Sequence, residues 1–187
     1  MLPTALVPVR ISRTAKRRLA HVLGPDDRMR LVRALFEHVV CVVREAGLHV
    51  VALSPNDVLD VEGIEVWRDE APGLNGAIGA AITRIGMPVF VIHADLPKLT
   101  AADVDDVLRI PGHVVIARAR DGGTNGLLLR RPIALAFGPS SSVAHAANAR
   151  AAGLSARVVD LPGFALDVDD ESGLSASGAV SVLDTRP

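Results

Sequence analysis

Short runs of apolar residues alternate along the chain with segments of helical spacing, and Gly, Pro and Asp stand at most of the junctions. This alternation is typical of an α/β fold, in which a sheet is covered by helices. The pattern predicts strands at residues 5–9, 48–53, 64–67, 89–93, 114–117, 126–129, 156–159 and 165–168.

The clearest helical pattern covers residues 26–46, where apolar side chains recur every three or four positions. Pro25 suits its first turn and Gly47 its end. A second helix is predicted to run from Asn75, as its cap, to about residue 85. Two more are predicted from the cap Thr100 to residue 109 and over residues 139–152.

The composition fits one folded unit. The chain has 187 residues, of which 49% are hydrophobic, enough for a single domain, residues 1–187, with a sizeable core. The hydrophobic pattern is lost in the tail, residues 172–187, which we expect to be mobile. Because Cys41 is the only cysteine, no intrachain disulfide can form, and we predict a cytoplasmic protein.

Charge and aromatic content argue against two classes of partner. Lys and Arg total 20 and Asp and Glu total 21, so the net charge of −1 gives no electrostatic attraction to nucleic acid or to an anionic membrane. Aromatic residues make up 3% of the chain, which leaves little for base stacking. No apolar run approaches the roughly 18 residues of a membrane span.

An acid, Asp95, follows the predicted strand 89–93 in the stretch "PVFVIHADLPKL". In open α/β sheets ligands bind beyond the carboxyl ends of the strands, where Asp95 is expected to lie. The alternative is a polar turn in which Asp95 bonds its own backbone.

A second acidic segment, "ALDVDD", covers residues 165–170. On a strand, alternation would place Asp167 and Asp169 on one face. Their mutual repulsion favours a cation between them, and Asp95 could complete its ligand set. Magnesium suits a few carboxylates plus phosphates and water, and no calcium loop is visible. The scattered histidines and the lone cysteine argue against zinc. Simple solvation of the carboxylates is the alternative.

Two segments could bind phosphate. In "DGGTNG", residues 121–126, Gly122 and Gly123 allow successive N–H groups to face an anion, and Thr124 adds a hydroxyl. In "FGPSSSVAHAANA", Gly138 and three serines precede a predicted helix whose free N–H groups attract anions. The alternatives are an ordinary loop and an ordinary helix cap.

A basic segment, "VRISRTAKRRL", follows the first predicted strand and should reach the same sheet edge as Asp95. Its cations could bind a triphosphate. They are Arg10, Arg13, Lys16, Arg17 and Arg18. A solvated basic face is the alternative, and a nucleic-acid arm lacks any accompanying binding module.

Six motifs together resemble a known family: "ALVPVR…AKRRL", "GLN" at 73–75, "ADLPKL", "DGGTNGLLLR", "FGPSS…H" and "GFALDVD". In order and approximate spacing they are similar to the 2-phospho-L-lactate and phosphoenolpyruvate guanylyltransferases of coenzyme F-420 biosynthesis, over residues 5–175. The resemblance implies a three-layer, glycosyltransferase-A-like, Rossmann-like nucleotidyltransferase fold with a mixed, mostly parallel sheet. The basic segment stands where most relatives of that fold carry a glycine-rich loop.

The resemblance implies transfer of GMP from GTP to the phosphate of a small phospho-acid, with release of pyrophosphate. Asp95, Asp167 and Asp169 would bind magnesium (Mg²⁺), and Thr124, Gly138 and Ser141 the phospho-acid. Arg10, Lys16, Gly73, Leu74 and Asn75 would lie at the nucleotide, with Lys16 and Arg18 on the departing pyrophosphate. Hand-over of the product to a downstream transferase of the F-420 pathway is expected.

Four positions depart from the family pattern. Lys98 replaces an apolar residue, Gly126 an alanine, Ser140 a glycine and Ser142 an aromatic residue. These changes leave three acceptors open: phosphoenolpyruvate, 2-phospho-L-lactate and 3-phosphoglycerate. Two other functions remain open as well. One is another magnesium-dependent nucleotidyltransferase, of the molybdenum-cofactor or sugar-phosphate type, and the other is a GTP-binding sensor without catalysis.

Overall fold

The computed structural model describes residues 1–55, 61–69 and 71–177. Within these ranges the strands are β1 (Thr4–Pro8), β2 (Val50–Ser54), β3 (Glu65–Arg68), β4 (Val89–Ile92), β5 (Val114–Arg118), β6 (Thr124–Leu129) and β7 (Ala156–Val159). The helices are α1 (Pro25–Glu45), α2 (Gly73–Ile85), α3 (Ala101–Arg109), α4 (Ser141–Ala151), α5 (Pro162–Ala165) and α6 (Glu171–Ser177), with a 3₁₀ turn at Arg17–Leu19.

The strands form one sheet in the order β3-β2-β1-β4-β6-β5-β7. Only β6 runs against its neighbours, β4 and β5; the other described strand pairs are parallel. The predicted mixed, mostly parallel sheet is therefore confirmed. Its order reverses between β1 and β4, and a ligand crevice is expected beyond the carboxyl ends of these two strands.

Helices cover both faces of the sheet, which gives the predicted three layers. On one face α1 and α3 bury apolar side chains such as Phe36 and Val104. On the other face α2 and α4 pack through smaller residues, including Ala77, Ala81 and Ala149. Strand β4 is buried along its whole length because both of its faces are covered.

The strongly periodic segments match their predictions closely. Helix α1 begins one residue before the predicted start, with Pro25 in its first turn and two acids, Asp26 and Asp27, after it. Thr100 caps α3 as predicted, and its side chain accepts a hydrogen bond from the N–H of Asp103 in a capping box. Strand β7 has the predicted bounds.

Three predicted elements are wrong in detail. Helix α2 begins at Gly73, with Pro72 before it, so Asn75 lies inside the first turn and is not the cap. Helix α4 begins at Ser141, two residues after its predicted start. Residues 165–168 do not form a strand: Ala165 ends the short helix α5. The backbone that follows makes single bonds to separate partners, with no ladder: the oxygen of Ala165 accepts from Arg120 N–H, and the N–H of Val168 donates to Asp95.

The start of the tail is also ordered, against the prediction. Residues 171–177 form α6, and Leu174 is buried with Leu19, Leu31, Leu35 and Val168 in a small cluster. The side chain of Leu174 therefore holds α6 against this cluster, although the sequence of the segment shows no clear hydrophobic pattern. The rest of the predicted mobile tail, residues 178–187, lies outside the described residues.

No helix in the described part of the chain is long and apolar enough to cross a membrane.

Candidate functional site

A cleft of about 520 Å³ opens beyond the carboxyl ends of β1 and β4. Residues from four separate sequence motifs line it: Arg10, Lys16 and Arg18 from the basic segment, Leu74 from α2, Asp95 after β4, and Asp169 from the acidic segment. The sheet edge thus gathers predicted site residues that are up to 159 positions apart in the sequence.

Three carboxylates, Asp95, Asp167 and Asp169, form what we call the acidic cluster. One oxygen from each lies within 4.8 Å of the others. The N–H of Val168 donates to the backbone oxygen of Asp95 at 3.2 Å, and the Val168 side chain is fully buried. This anchoring brings the carboxylates on either side of Val168 up to Asp95. The predicted grouping therefore arises without the predicted strand.

The ammonium group of Lys16 lies between two members of the acidic cluster. It donates to Asp95 and, at 2.6 Å, to Oδ1 of Asp169. Lys16 has a left-handed backbone conformation, with φ 48° and ψ 47°, which a side-chain-bearing residue adopts at a cost. Strained backbone conformations are typical of functional sites. Here the strain occurs at the residue whose side chain bonds two acids.

The charges in the cluster are strongly coupled. Burial alone would raise the pKa of Asp95, but Lys16 and then His93 more than offset this and hold the pKa below its ordinary value. Burial likewise lowers the pKa of Lys16, and its two acidic partners reverse the effect and raise it. At Asp167, burial and then the charges of Asp95 and Asp169 raise the pKa. The cluster has more negative charge than Lys16 alone neutralises.

The cluster fits a magnesium ion. Oδ1 of Asp95 is buried and has no hydrogen-bond partner among the described residues. A buried charged oxygen without a partner is unfavourable, and a hard cation with oxygen ligands would satisfy it. All three side chains offer carboxylate oxygens, the ligand type that magnesium prefers.

A second group of side chains, Thr124, Ser141 and His145, forms what we call the hydroxyl pocket. Oγ of Ser141 donates to Oγ1 of Thr124 at 3.1 Å, and Oγ1 of Thr124 lies 3.0 Å from Nδ1 of His145. The backbone N–H of Ala136 donates to Nε2 of His145 at 3.0 Å. Because Nε2 accepts, a neutral imidazole must carry its proton on Nδ1 and donate it to Thr124.

Burial keeps the hydroxyl pocket neutral. His145 is inaccessible to solvent, and burial, with a smaller effect from His93, lowers its pKa to about 4. The Thr124 oxygen then receives two hydrogen bonds, and its own proton has no acceptor in the described network. The pocket can therefore donate one hydroxyl proton to a ligand.

The position of Thr124 depends on a β-bulge. In the pairing of β5 with β6, Ala117 is opposite Gly126 and Arg118 is opposite Thr124, so Asn125 is an extra residue. The Asn125 amide donates to the backbone oxygen of Phe164 on the α1 and α3 face of the sheet. Thr124 consequently points to the opposite face, towards α4.

The backbone groups expected to bind phosphate are already paired. The N–H of Gly122 donates to Ala119, and that of Gly123 donates to the Asp121 carboxylate at 2.8 Å. At the start of α4, the N–H groups of Ser141 and Ser142 donate to the oxygens of Gly138 and Gly122. The free N–H cradles expected from the sequence are therefore absent at these four positions, and the side-chain hydroxyls remain. Gly138 lies beside open space, since a Cβ added there would meet no atom within 4 Å.

A match to a protein-family model identifies the family of this chain. Residues 3–177 match the family described as "Guanylyl transferase CofC like". The chain belongs to this family.

Individual relatives agree with the family match. A phosphoenolpyruvate guanylyltransferase of Rubrobacter xylanophilus is 37% identical over 97% of this chain and 98% of its own. A 2-phospho-L-lactate guanylyltransferase of Methanoregula boonei is 29% identical over 93% of this chain and 81% of its own. The predicted guanylyltransferase family is confirmed.

Solved structures confirm the fold. A structure from Desulfovibrio desulfuricans G20, assigned as a nucleotide-diphospho-sugar transferase, superposes with a TM-score of 0.73. It covers 90% of this chain and 82% of its own, at 16% sequence identity. Likeness at this identity supports the nucleotidyltransferase fold alone.

A buried arginine, which the sequence analysis did not single out, ties the basic segment to α1. Arg28, on α1, is 6% exposed and donates to the backbone oxygens of Ala15, Leu23 and Arg13 at 2.7–3.0 Å. These bonds hold the basic segment in place around Lys16. The sequence did contain a signal for its burial. Arg28 lies three and seven residues before two buried leucines of α1, so it is on the same face of the helix.

Asn75 links the two halves of the site. Its amide donates to the backbone oxygen of Phe137 at 3.0 Å and accepts from the Phe137 N–H at 2.7 Å. The side chain therefore joins the start of α2 to the loop before α4, and the predicted contact of Asn75 with nucleotide stays a prediction. Its neighbour Leu74 is 44% exposed and lines the cleft; Gly73 begins α2.

The four departures from the family pattern have different surroundings. Ser140 has φ 55°, a conformation that glycine adopts without strain. Ser142 is buried and donates to the oxygen of Gly122 at 2.7 Å. A Cβ at Gly126 would lie 2.7 Å from the Phe164 ring, so alanine does not fit without movement. Lys98 is exposed and is not part of the cleft wall.

Proposed function

We propose that this protein transfers GMP from GTP to the phosphate of a small phospho-acid and releases pyrophosphate. The observation that carries the proposal is the acidic cluster with Lys16, at the same sheet edge as the hydroxyl pocket. One group can hold a polyanionic nucleotide with its metal, and the other can donate a hydrogen bond to a second anion. Membership of the guanylyl transferase family supports the same reaction.

The chemistry needs positioning more than a base. A phosphate monoester has a second pKa of about 6, so at neutral pH most of it is a dianion that can attack the α-phosphorus of GTP directly. Holding two anions in an attacking geometry replaces a bimolecular encounter, which accounts for much of the rate in such reactions. The cations of the cleft offset the repulsion between the two anions.

Each part of the site has a proposed role. Asp95, Asp167 and Asp169 would hold magnesium, which when bound acts as a Lewis acid on phosphoryl oxygens. Lys16 and Arg18 would hold the β- and γ-phosphates and then the departing pyrophosphate, and Arg10 the nucleotide.

The acceptor is proposed to bind at the hydroxyl pocket. Thr124 and Ser141 would hold the phospho-acid through their hydroxyls, beside the open space at Gly138. Gly73 and Leu74 would lie near the nucleotide, since Leu74 lines the same cleft as Lys16.

Phosphoenolpyruvate is the first acceptor to test. The relative from Rubrobacter xylanophilus and a second from Roseiflexus castenholzii, 34% identical over 91% of this chain, are both named phosphoenolpyruvate guanylyltransferase. With this acceptor the product would be a reactive diphosphate of the coenzyme F-420 pathway. Its chemistry calls for a downstream transferase that consumes it.

The test supplies purified protein with GTP, magnesium and each acceptor in turn: phosphoenolpyruvate, 2-phospho-L-lactate and 3-phosphoglycerate. We expect pyrophosphate release that requires both magnesium and an acceptor. ATP, CTP and UTP serve as matched donors. Measurable GTP binding with no pyrophosphate from any acceptor would instead favour a GTP sensor.

A further inference from the structure

A second pocket, of about 320 Å³, lies between β3 and α2 and has no role in the site described above. Its wall contains Trp67 and Asp69 from the β3 end, and Ala77, Ala81 and Arg84 from α2. Its size is at the lower end of the range for small-molecule sites. The small alanine side chains leave the room that this pocket occupies.

One carboxylate oxygen in the pocket wall has no hydrogen-bond donor in the described part of the chain. Oδ1 of Asp69 is buried, and no described residue forms a hydrogen bond with it. Buried polar oxygens nearly always have a partner, and exceptions commonly mark a place where a ligand or ion supplies it. A partner that fits this oxygen must be an N–H or O–H donor, or a cation.

The pocket also has a flat wall. The guanidinium of Arg84 lies 3.7 Å from the centre of the Trp67 ring. A guanidinium stacked on an indole presents planar groups that favour contact with another planar, electron-rich ring.

The sheet register places this pocket level with the acidic cluster. Trp67 pairs with Leu53, and Leu53 pairs with Pro8; continuing the β1–β4 register puts His93 in the same row. Asp69 and Asp95 each lie two residues beyond that row, after the ends of β3 and β4, which are three places apart in the sheet. At about 4.8 Å per strand, they are roughly 14 Å apart along one sheet edge. Arg10, two residues after the end of β1, lies between them.

We propose that this pocket binds the guanine base of the donor nucleotide and that Asp69 selects it. Guanine presents two adjacent donors, its N1–H and its 2-amino group, which a carboxylate can accept together. Adenine, cytosine and uracil each place an acceptor next to their donor on the same edge, so they would leave a carboxylate oxygen facing a lone pair. Bases are commonly recognised in this way, by hydrogen bonds to that edge and by stacking. The inference rests on the proposed function for its choice of a guanine nucleotide.

A site of this kind discriminates between nucleotides because a nucleotide with another base would leave polar groups of the site unpaired. Asp69 would therefore determine which nucleotide binds, while the acidic cluster would affect the reaction at the phosphates of that nucleotide. The triphosphate would extend from the base pocket past Arg10 to Lys16.

Trp67 offers a direct readout that does not depend on turnover. The chain contains one Trp and no Tyr, so its intrinsic emission comes from the pocket wall. We expect GTP and GMP to change this emission, and ATP at the same concentrations to change it much less. In the unaltered protein ITP, which lacks the 2-amino group, should bind about tenfold more weakly than GTP.

The decisive variant is Asp69→Asn. An amide offers one acceptor and one donor, which complements the N1–H and 2-oxo groups of xanthine. We expect the affinity for GTP to fall at least about tenfold and the preference to move towards XTP. Asp105→Asn, at a half-exposed position on α3 outside both pockets, is the matched control and should keep the preference for GTP.

Two results would overturn the inference. One is an Asp69→Asn variant, folded by circular dichroism, with an unchanged ratio of GTP to XTP affinity. The other is equal binding of GTP and ITP by the unaltered protein, which applies even if the variant does not fold. Failure of the proposed function would give a different result. GTP would still bind through Asp69, but pyrophosphate would not be released from GTP with any acceptor.

Discussion

The acidic cluster and the hydroxyl pocket are neighbours at one sheet edge, yet they are built in opposite ways. The acidic cluster and Lys16 join three chain segments through charge, with one buried oxygen of Asp95 unpaired among the described residues and an excess of negative charge. The hydroxyl pocket is neutral, is almost inaccessible to solvent, and satisfies all its polar atoms except one hydroxyl proton.

Under the proposed function, this difference separates two tasks. A group that must exchange cations with solvent keeps unmatched charge, as the acidic cluster does. A group that must recognise the shape of one anion benefits from fixed donors, which the bulge and the buried imidazole provide. We therefore expect changes in the first to abolish reaction and changes in the second to alter the binding of the acceptor.

The largest effect is expected for Asp95→Asn. The amide removes one ligand charge from the proposed magnesium site, and metal catalysis of this kind contributes several kcal/mol, so turnover should fall by at least about 10³-fold. Circular dichroism should show an intact fold. Asp105→Asn is the control with retained activity, and a near-normal rate in Asp95→Asn would remove that residue from the metal site.

Thr124→Val tests the other half of the comparison. Valine keeps the shape but loses the hydroxyl, and a hydrogen bond to a charged group contributes roughly 1.5–3 kcal/mol. The KM for the acceptor should rise about 10- to 150-fold, while the KM for GTP stays the same. Steady-state kinetics with both substrates varied would check this, with the exposed Thr83→Val as the control. Equal rises in the KM values for the acceptor and for GTP would contradict separate roles for the hydroxyl pocket and the acidic cluster.

The sequence predicted the composition of both groups better than their geometry. Strong periodicity located the main helices and strands, and the row of acids around Val168 was found by alternation, although the segment is not a strand. The backbone cradles at Gly122 and Ser141 were wrong because nearby carbonyls and a carboxylate take up the N–H groups, and a sequence does not rank such competing acceptors.

The contacts that the sequence did not predict are side-chain bonds to more distant segments of the chain. Arg28 and His145 bond to segments 5–15 and 9–21 residues away, and Asn75 bonds to a loop 62 residues away. Such partners depend on the tertiary fold, which local patterns do not contain.

The buried imidazole of His145 predicts a pH-dependent stability. In the unfolded chain it binds a proton below about pH 6.5, and in the fold only below about 4. Between these values the unfolded state binds more protons, so the free energy of unfolding falls as the pH is lowered. The loss should reach about 2 kcal/mol by pH 5 and be absent above pH 7.

Urea unfolding of the unaltered protein and of His145→Gln, each at pH 7 and pH 5, would measure this term. Only the difference between the two pH dependences matters, so an overall destabilisation of the variant does not affect the result. Parallel pH dependences would mean that the hydroxyl pocket tolerates a charge and is less distinct from the acidic cluster than its contacts indicate.

The smallest effect is expected for Lys98→Leu, which restores the family's apolar character. Since Lys98 is exposed and lies outside the cleft wall, stability should change by less than about 0.5 kcal/mol. Relative kcat/KM values for the three acceptors should stay within about threefold of those of the unaltered protein. A larger change in preference would extend the acceptor subsite beyond the hydroxyl pocket.

The extra residue at Asn125 makes the proposed acceptor subsite sensitive to insertion in a way that substitutions do not reveal. Inserting one residue between Ala117 and Arg118 of β5 would give Asn125 a partner, restore regular pairing and turn the Thr124 hydroxyl to the face covered by α1 and α3, with every residue of β6 unchanged. In this strand pair, the position of a side chain depends on the number of residues as well as on their identity.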